Sequence, residues 1–354
     1  MTNSATDDTP LTVRVGEAVL TLRDLQGSDA SAVLALHEHV FGAGVDAKWF
    51  AWKYENDSGQ GKGQALGVWS GDTLIAYCGG IPRTLWRQSK SLRGLQMGDV
   101  MVHPAWRGIL TRRGPFFHVT QKFHSSRVGA APRHPFALGF GFPNLRHLRL
   151  GTILGLMHDD GAMEALHWDT TPATIASLPW SLRWREVAAS DKHLERSVNH
   201  AWQAMRARSG DRILGQRDGA YLRWRYIDRP TPPNTPAPEG PRYRFFELHR
   251  IWSRNPLGVA VLDLRSESAQ WLDWIGPVQW AAMACRACRL EAARAGATSL
   301  TAWASRAVAQ ALEGSDIVRR EPCAGLAVST ASDLGAQGAV GLNWWLMGGD
   351  TDFL

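Results

Sequence analysis

The chain has 354 residues, 44% of them hydrophobic and 20% charged, which is more than one ordinary domain needs and enough apolar material for two cores. Lys and Arg outnumber Asp and Glu by 39 to 33, for a formal net charge of +6; this favours anionic ligands, but the basic residues are scattered mostly as single Arg, so no nucleic-acid partner is expected. The polar opening MTNSATDDTP is not a secretion signal, no run reaches the length of a membrane span, and four cysteines make no disulfide framework in so long a chain, so no membrane contact and a cytoplasmic location are the expectation.

Residues 1–10 are expected to be disordered. VLTLRDLQ reads as a strand, and SDASAVLALHEHVFG as a helix with Ser28 or Asp29 at its N-cap and apolar positions at Ala32, Val33, Leu36 and Val40. WFAWKYEND reads as a short helix. GQALGVWSG and TLIAYCGGIPRTLWR form a strand pair joined at Ser70-Gly71-Asp72. GLQMGDVMVHP is a further strand, and PFFHVTQKFHSSRVG a helix with Pro115 at its first position. HPFALGFGFP gives the next strand, and NLRHLRLGTILGL the next helix.

The second half repeats this order. RWRYIDRP echoes AWKYENDS, with Trp224-Arg225-Tyr226 against Trp52-Lys53-Tyr54. The strands RYRFFELHRIW, LGVAVLDLR and SAQWLDWIG follow, then the helix VQWAAMACRACRLEAARAG, the strand TSLTAWAS, the helix RAVAQALEGS and a last strand in GLNWWLMGGDTDFL. A duplicated α/β module is the economical reading, with modules at 11–165 and 186–354 and a connection at 166–185. The Pro-rich stretch RPTPPNTPAPEGP reads as a surface excursion. Cys285 and Cys288 share one helix face without further ligands nearby, so they are expected in the core, and no metal is expected.

Trp52-Lys53-Tyr54, GDVMVHPAWRG at 98–108 and GFGFPNLRHLRLGTILGL at 139–156 together resemble the GNAT superfamily of acyl-CoA-dependent acyltransferases, in its tandem two-domain form. The resemblance is closest from about residue 49 to 156. It implies an α/β fold of two mixed sheets flanked by helices, with acetyl-CoA or another acyl-CoA as co-substrate and a small-molecule or peptide acceptor, an amine or a hydroxyl, bound between the modules. Two neighbouring strands that splay apart leave backbone groups unpaired, and the amides of a pantetheine arm can pair with them like an added strand. The helix beyond presents its positive N-terminus to a pyrophosphate. On this reading Val100, Met101 and Val102 line the pantetheine arm. Arg107, Gly108, Thr111, Arg112, Arg113 and Gly114 surround the phosphates, and Asn144 opens the helix that follows the next strand. The loop departs from the family's closely spaced glycines: ILTRR stands between Gly108 and Gly114.

Acyl transfer to an amine needs a base and a proton for the leaving thiolate. The resemblance places a carboxylate base at Asp99. His103 has a suitable intrinsic pKa but precedes Pro104, where it can also cap the turn. Where similar enzymes carry a thiol-protonating tyrosine this chain has Leu150-Gly151, and His147 on the same helix is the available substitute. The second module meets its helix through Gly276-Pro277, with no Arg-rich loop, which suits a scaffold or one wall of the acceptor cleft. A non-catalytic acyl-CoA-binding protein and a transferase using aminoacyl-tRNA stay open as alternatives.

Overall fold

The computed structural model describes residues 10–42, 44–55, 59–107, 113–130, 132–172, 175–231, 241–330 and 341–351. The first half runs β1 (Leu11–Val15), β2 (Ala18–Asp24), α1 (Ala30–Phe41), α2 (Ala47–Phe50), β3 (Gln64–Ser70), β4 (Thr73–Arg87), β5 (Lys90–Val102), α3 (Pro115–Arg127), β6 (Leu138–Gly141), α4 (Leu145–Ile153) and β7 (His158–Asp169). The second half runs β8 (Leu182–Val187), α5 (Leu194–Ala207), β9 (Ile213–Gly215), α6 (Gly219–Leu222), β10 (Arg244–Arg250), β11 (Gly258–Asp263) and β12 (Ser268–Ile275). It continues with α7 (Ala281–Arg294), β13 (Ser299–Ala304), α8 (Arg306–Ala311), β14 (Arg319–Thr330) and β15 (Trp344–Trp345). From β2 to β7, and again from β8 to β14 with β9 inserted, the same succession of strands and helices is laid down.

The two halves share one mixed sheet, ordered β1-β2-β3-β4-β5-β6-β14-β7-β13-β12-β11-β10-β8, with β9 joining β4 and β15 joining β9. The halves exchange strands, β7 from the first and β14 from the second. β14 pairs with both β6 and β7, and β7 pairs with β13. Parallel pairing along the main sheet falls at corresponding places, β5 with β6 and β12 with β13. Helices cover the sheet, and the largest apolar core lies mostly in the second half, around Trp271, Trp274 and the buried face of α5, with Trp52 and Trp168 of the first half joining it.

Most of the expected elements form, and the differences have local causes. The strand expected from Gly94 starts at Lys90, because a tight turn with Gln88 and Ser89 at positive φ extends the hairpin. The expected connection at 166–185 holds the end of β7 and the start of β8, leaving 170–181 between them. Among the described residues of the final stretch, only Trp344–Trp345 is strand. The helix α5 has no counterpart in the sequence reading; Leu194, Val198, Ala201, Trp202 and Met205 recur at helical spacing and are all buried. Residues 1–9 and 232–240 lie outside the described residues.

The echo at Trp52 and Trp224 is a physical joint. Each tryptophan sits in a single π-helical turn, Ala51–Glu55 and Arg223–Ile227. Their rings stack with centroids 5.2 Å apart and planes 17° apart. Nε1 of Trp52 donates to the Trp224 carbonyl at 2.7 Å, and Nε1 of Trp224 donates to the Trp52 carbonyl at 3.0 Å. Nearby, Arg83 of β4 donates to Gln96 at 2.8 Å and to Asp350 at 3.3 Å, while Arg217 bonds Asp273 at 2.9 Å and also Asp350. All five side chains are buried, so this charged network ties the halves together across the sheet.

Cys285 and Cys288 are buried in α7, and burial pushes both thiols up, that of Cys285 to about 12. Among the described residues, no group of three or more His, Cys, Asp or Glu is placed to hold a metal, and no helix is long and apolar enough to cross a membrane.

Candidate active site

β5 and β6 pair only from Gly94–Leu138 to Gln96–Phe140. Beyond Gln96 the strands separate, and a cleft of about 360 Å³ opens between them. Its walls come from β5 (Met97, Val100), α3 (Phe116, Thr120), the β6–α4 corner (Phe142, Asn144), α4 (His147) and β14 (Val328, Ser329), so both halves build it. The floor is hollow because β6 carries Gly139 and Gly141; a Cβ on either would run into Ser329 or Met97.

Asp99 reaches this cleft through a bulge. Cys78 pairs with Val100 but Gly80 pairs with Met97, so Gly98 and Asp99 face a single residue of β4. Asp99 Oδ2 accepts from Nζ of Lys53 at 2.8 Å and from the Tyr54 hydroxyl at 2.7 Å. Lys53 is buried and lies over the Trp49 ring at 4.7 Å. Burial alone would raise the Asp99 pKa, but the charge and hydrogen bond of Lys53, helped by Tyr54, outweigh it and hold the carboxylate ionised below its ordinary range. Gly79 is the glycine this cluster requires, since a Cβ there would meet the hydroxyls of Tyr54 and Tyr77 at 2.6 Å. Lys53 and Tyr54 were missed as site residues; the signal available for them was the repeated Trp-Lys/Arg-Tyr, which recurs where the sequence duplicates.

The other expected residues divide. Val100 lines the cleft, whereas the Met101 side chain is buried on the opposite side with Tyr54, Tyr77 and Leu74. Val102 packs at the edge of the core, and its carbonyl accepts from Nε of Arg107 at 2.8 Å, so the Arg107 guanidinium folds back on the strand end. Gly114 is the N-cap of α3, with Pro115 as its first residue. Arg113 is exposed and lies 5.9 Å from the Phe117 ring. Gly108, Thr111 and Arg112 lie outside the described residues. Asn144 lines the cleft and caps α4, its side chain accepting from the His147 amide at 2.9 Å.

His147 also lines the cleft and stacks on Phe116, with ring planes 18° apart. Desolvation, then the nearby charges of Arg146 and Arg107, push its pKa down, so the imidazole is neutral at pH 7. His103 does not line the cleft. Its Nδ1 accepts from the Ala105 amide at 3.2 Å and caps the short turn Pro104–Trp106, because Pro104 removes one of the donors that such a turn would present.

The corresponding place in the second half is closed. β12 and β13 pair from Ser268–Ser299 to Gln270–Thr301, and Asp273 then takes the place of Asp99, accepting from Tyr226 at 3.2 Å. Here the turn Gly348–Asp350 packs in: Met347 bridges to Ala304, and the Gly349 carbonyl accepts from Tyr221 at 3.0 Å and from Arg225 at 2.9 Å. Gly349 fits where a side chain could not, since its Cβ would collide with the Tyr226 hydroxyl. Asp273 is fully buried, and the chain itself fills the space that stays open beside Asp99.

This architecture, a mixed sheet with one splayed parallel pair, helix α3 beyond it and a duplicated order, is that of the GNAT fold. The chain is similar in structure to a conserved protein of Enterococcus faecalis V583 described as a probable N-acyltransferase, with TM-score 0.63 and 12% identity over 88% of this chain and 73% of that one. A GCN5-related N-acetyltransferase from Kribbella flavida matches with TM-score 0.58 and 15% identity over 88% and 71% of the two chains. N-myristoyltransferase from Saccharomyces cerevisiae, solved with bound myristoyl-CoA, matches with TM-score 0.54 and 10% identity over 92% and 81%. No protein-family model and no curated protein sequence matches the chain. At these identities the likeness defines the fold.

Proposed function

We propose that the protein is an acyl-CoA-dependent acyltransferase that moves an acyl group to an amine or hydroxyl acceptor. The observation that carries this reading is the open cleft between β5 and β6, with Asp99 and His147 on its walls and the N-terminus of α3 beyond the strand end. The unpaired edge of β5 after Gln96 offers backbone groups to the pantetheine amides. The α3 N-terminus, with Arg112 and Arg113 before it, suits the phosphates. The first half, 11–165, supplies most of this site, and the second, 186–354, acts as a scaffold that contributes β14.

The residues divide the chemistry. Asp99, kept ionised by Lys53, anchors and orients the acceptor nitrogen. Neutral His147 takes the proton that the nitrogen loses as the N–C bond forms. The C–S bond then breaks, and His147 returns the proton to the CoA thiolate, so it stands where similar enzymes use a tyrosine. His103 serves as a cap outside this machinery, and a peptide or small-molecule acceptor enters beside Asp99 and Phe41.

Titration calorimetry with CoA, acetyl-CoA and longer thioesters tests the reading. Binding is expected, and its absence at about 1 mM ligand would overturn the proposal. Replacing Arg112 and Arg113 together with Ala should weaken CoA by about tenfold or more; an unchanged affinity would put the phosphates elsewhere.

A further inference from the structure

The inner end of the cleft carries polar atoms that an acyl-CoA thioester with a plain hydrocarbon chain would leave unused. Thr120 on α3 is only 1% exposed. Its Oγ1, Nε2 of His124 one turn further on, and Oγ of Ser329 on β14 are all closed to solvent and have no hydrogen-bond partner among the described residues. All three residues line the same cleft. Ser329 is placed over its floor, since a Cβ on Gly139 would meet the serine Oγ at 2.6 Å. Around them the lining is apolar: Met97, Phe140, Met157 and Val328. Three buried polar atoms without partners in one apolar hollow are costly unless a ligand meets them.

The chemistry of the three atoms is specific. His124 Nδ1 lies 3.2 Å from the Leu156 carbonyl; a carbonyl only accepts, so Nδ1 carries the hydrogen. Nε2 is therefore a bare lone pair that needs a donor. Burial pushes the His124 pKa down to about 4, which keeps it in that neutral form at pH 7. The hydroxyls of Thr120 and Ser329 can each donate as well as accept.

On the reading of the cleft as an acyl-CoA site, we propose that its inner end selects an acyl chain bearing a hydroxyl group. The ligand O–H donates to His124 Nε2, and the same oxygen accepts from Thr120 or Ser329. A ketone at that place would leave Nε2 without a donor, and a methylene would leave all three atoms unmatched. The subsite thus favours hydroxyacyl over both oxoacyl and unsubstituted chains of equal length.

Calorimetry on the full chain with CoA, butyryl-CoA, 3-oxobutyryl-CoA and 3-hydroxybutyryl-CoA tests this. The hydroxyacyl thioester is expected to bind about fivefold more tightly than butyryl-CoA, the worth of one good hydrogen bond made instead of lost. In Thr120→Val and His124→Phe the ratio of the two affinities should fall towards one. Because the readout is a ratio within each variant, a loss common to both thioesters does not affect it, and the wild-type ratio stands even if a variant fails to fold. Equal affinities for the two thioesters in wild type, a preference for the oxo chain, or a preference kept in both variants would overturn the proposal while leaving CoA binding intact. If neither CoA nor any thioester binds, the acyltransferase reading falls with it.

Discussion

Lys53 and Asp99 form the most consequential single contact in the cleft, because the lysine is buried and the carboxylate nearly so. Removing one member leaves a charge without compensation, so Lys53→Met should cost about 3–5 kcal/mol in urea unfolding. The double variant Lys53→Met/Asp99→Asn should recover much of that loss, whereas strict additivity would show that the two groups are not energetically paired. Glu247 offers a pH-dependent counterpart away from the cleft. Burial pushes its pKa up, but hydrogen bonds from His249, Ser197 and Arg185 win and hold it at about 2, against an ordinary 4.5. A depressed folded-state pKa stabilises above the unfolded value and is lost on acidification. Wild type should therefore lose stability between pH 4.5 and about 2, and Glu247→Gln should flatten that part of the curve. Thermal melts across the window check this; parallel curves would refute the assignment.

Between elements, the joint of the two π-helical turns is where the halves meet most intimately. The stacked rings and reciprocal indole bonds of Trp52 and Trp224 predict a coupling of about 1 kcal/mol or more in a Trp→Ala double-mutant cycle. Coupling indistinguishable from zero would mean the turns merely touch. This joint was partly legible in the sequence, since Trp52-Lys53-Tyr54 and Trp224-Arg225-Tyr226 stand out as an echo, but nothing in either segment says that they pack on each other. The strand end at Val102, the helix start at Pro115 and the cap at Asn144 were legible for local reasons: proline and a capping amide act on the residues beside them. The roles of Lys53 and Tyr54 were not, because the bulge that brings Asp99 to them depends on strand pairing. β7 and β14 were equally hidden. HDDGAMEALHWD mixes helix-favouring residues into a strand, and RREPCAGLAVST carries Pro322, so tertiary pairing rather than propensity decides both.

At the scale of the molecule, strand exchange makes the halves one cooperative body. A single transition is expected in calorimetric unfolding, with agreement between tryptophan fluorescence and backbone circular dichroism; two separated transitions would show independent halves. Residues 11–169 made alone should be poorly soluble, because β6 and β7 lose β14 between them and expose unpaired apolar edges. Soluble, folded material from that fragment would contradict the shared sheet. Network residues argue the same way, since Arg83 of the first half finds its carboxylate at Asp350.

The exchange also sets a timetable for biosynthesis. Leu138 of β6 pairs with Thr330 of β14, so the ribosome finishes one side of the ladder long before it makes the other. Throughout that interval the nascent first half holds an open strand edge beside an unfinished cleft, an invitation to chaperones that bind extended apolar backbone. The cleft wall formed by Val328 and Ser329 arrives with β14, so a chain stalled or truncated before that strand has no complete pocket.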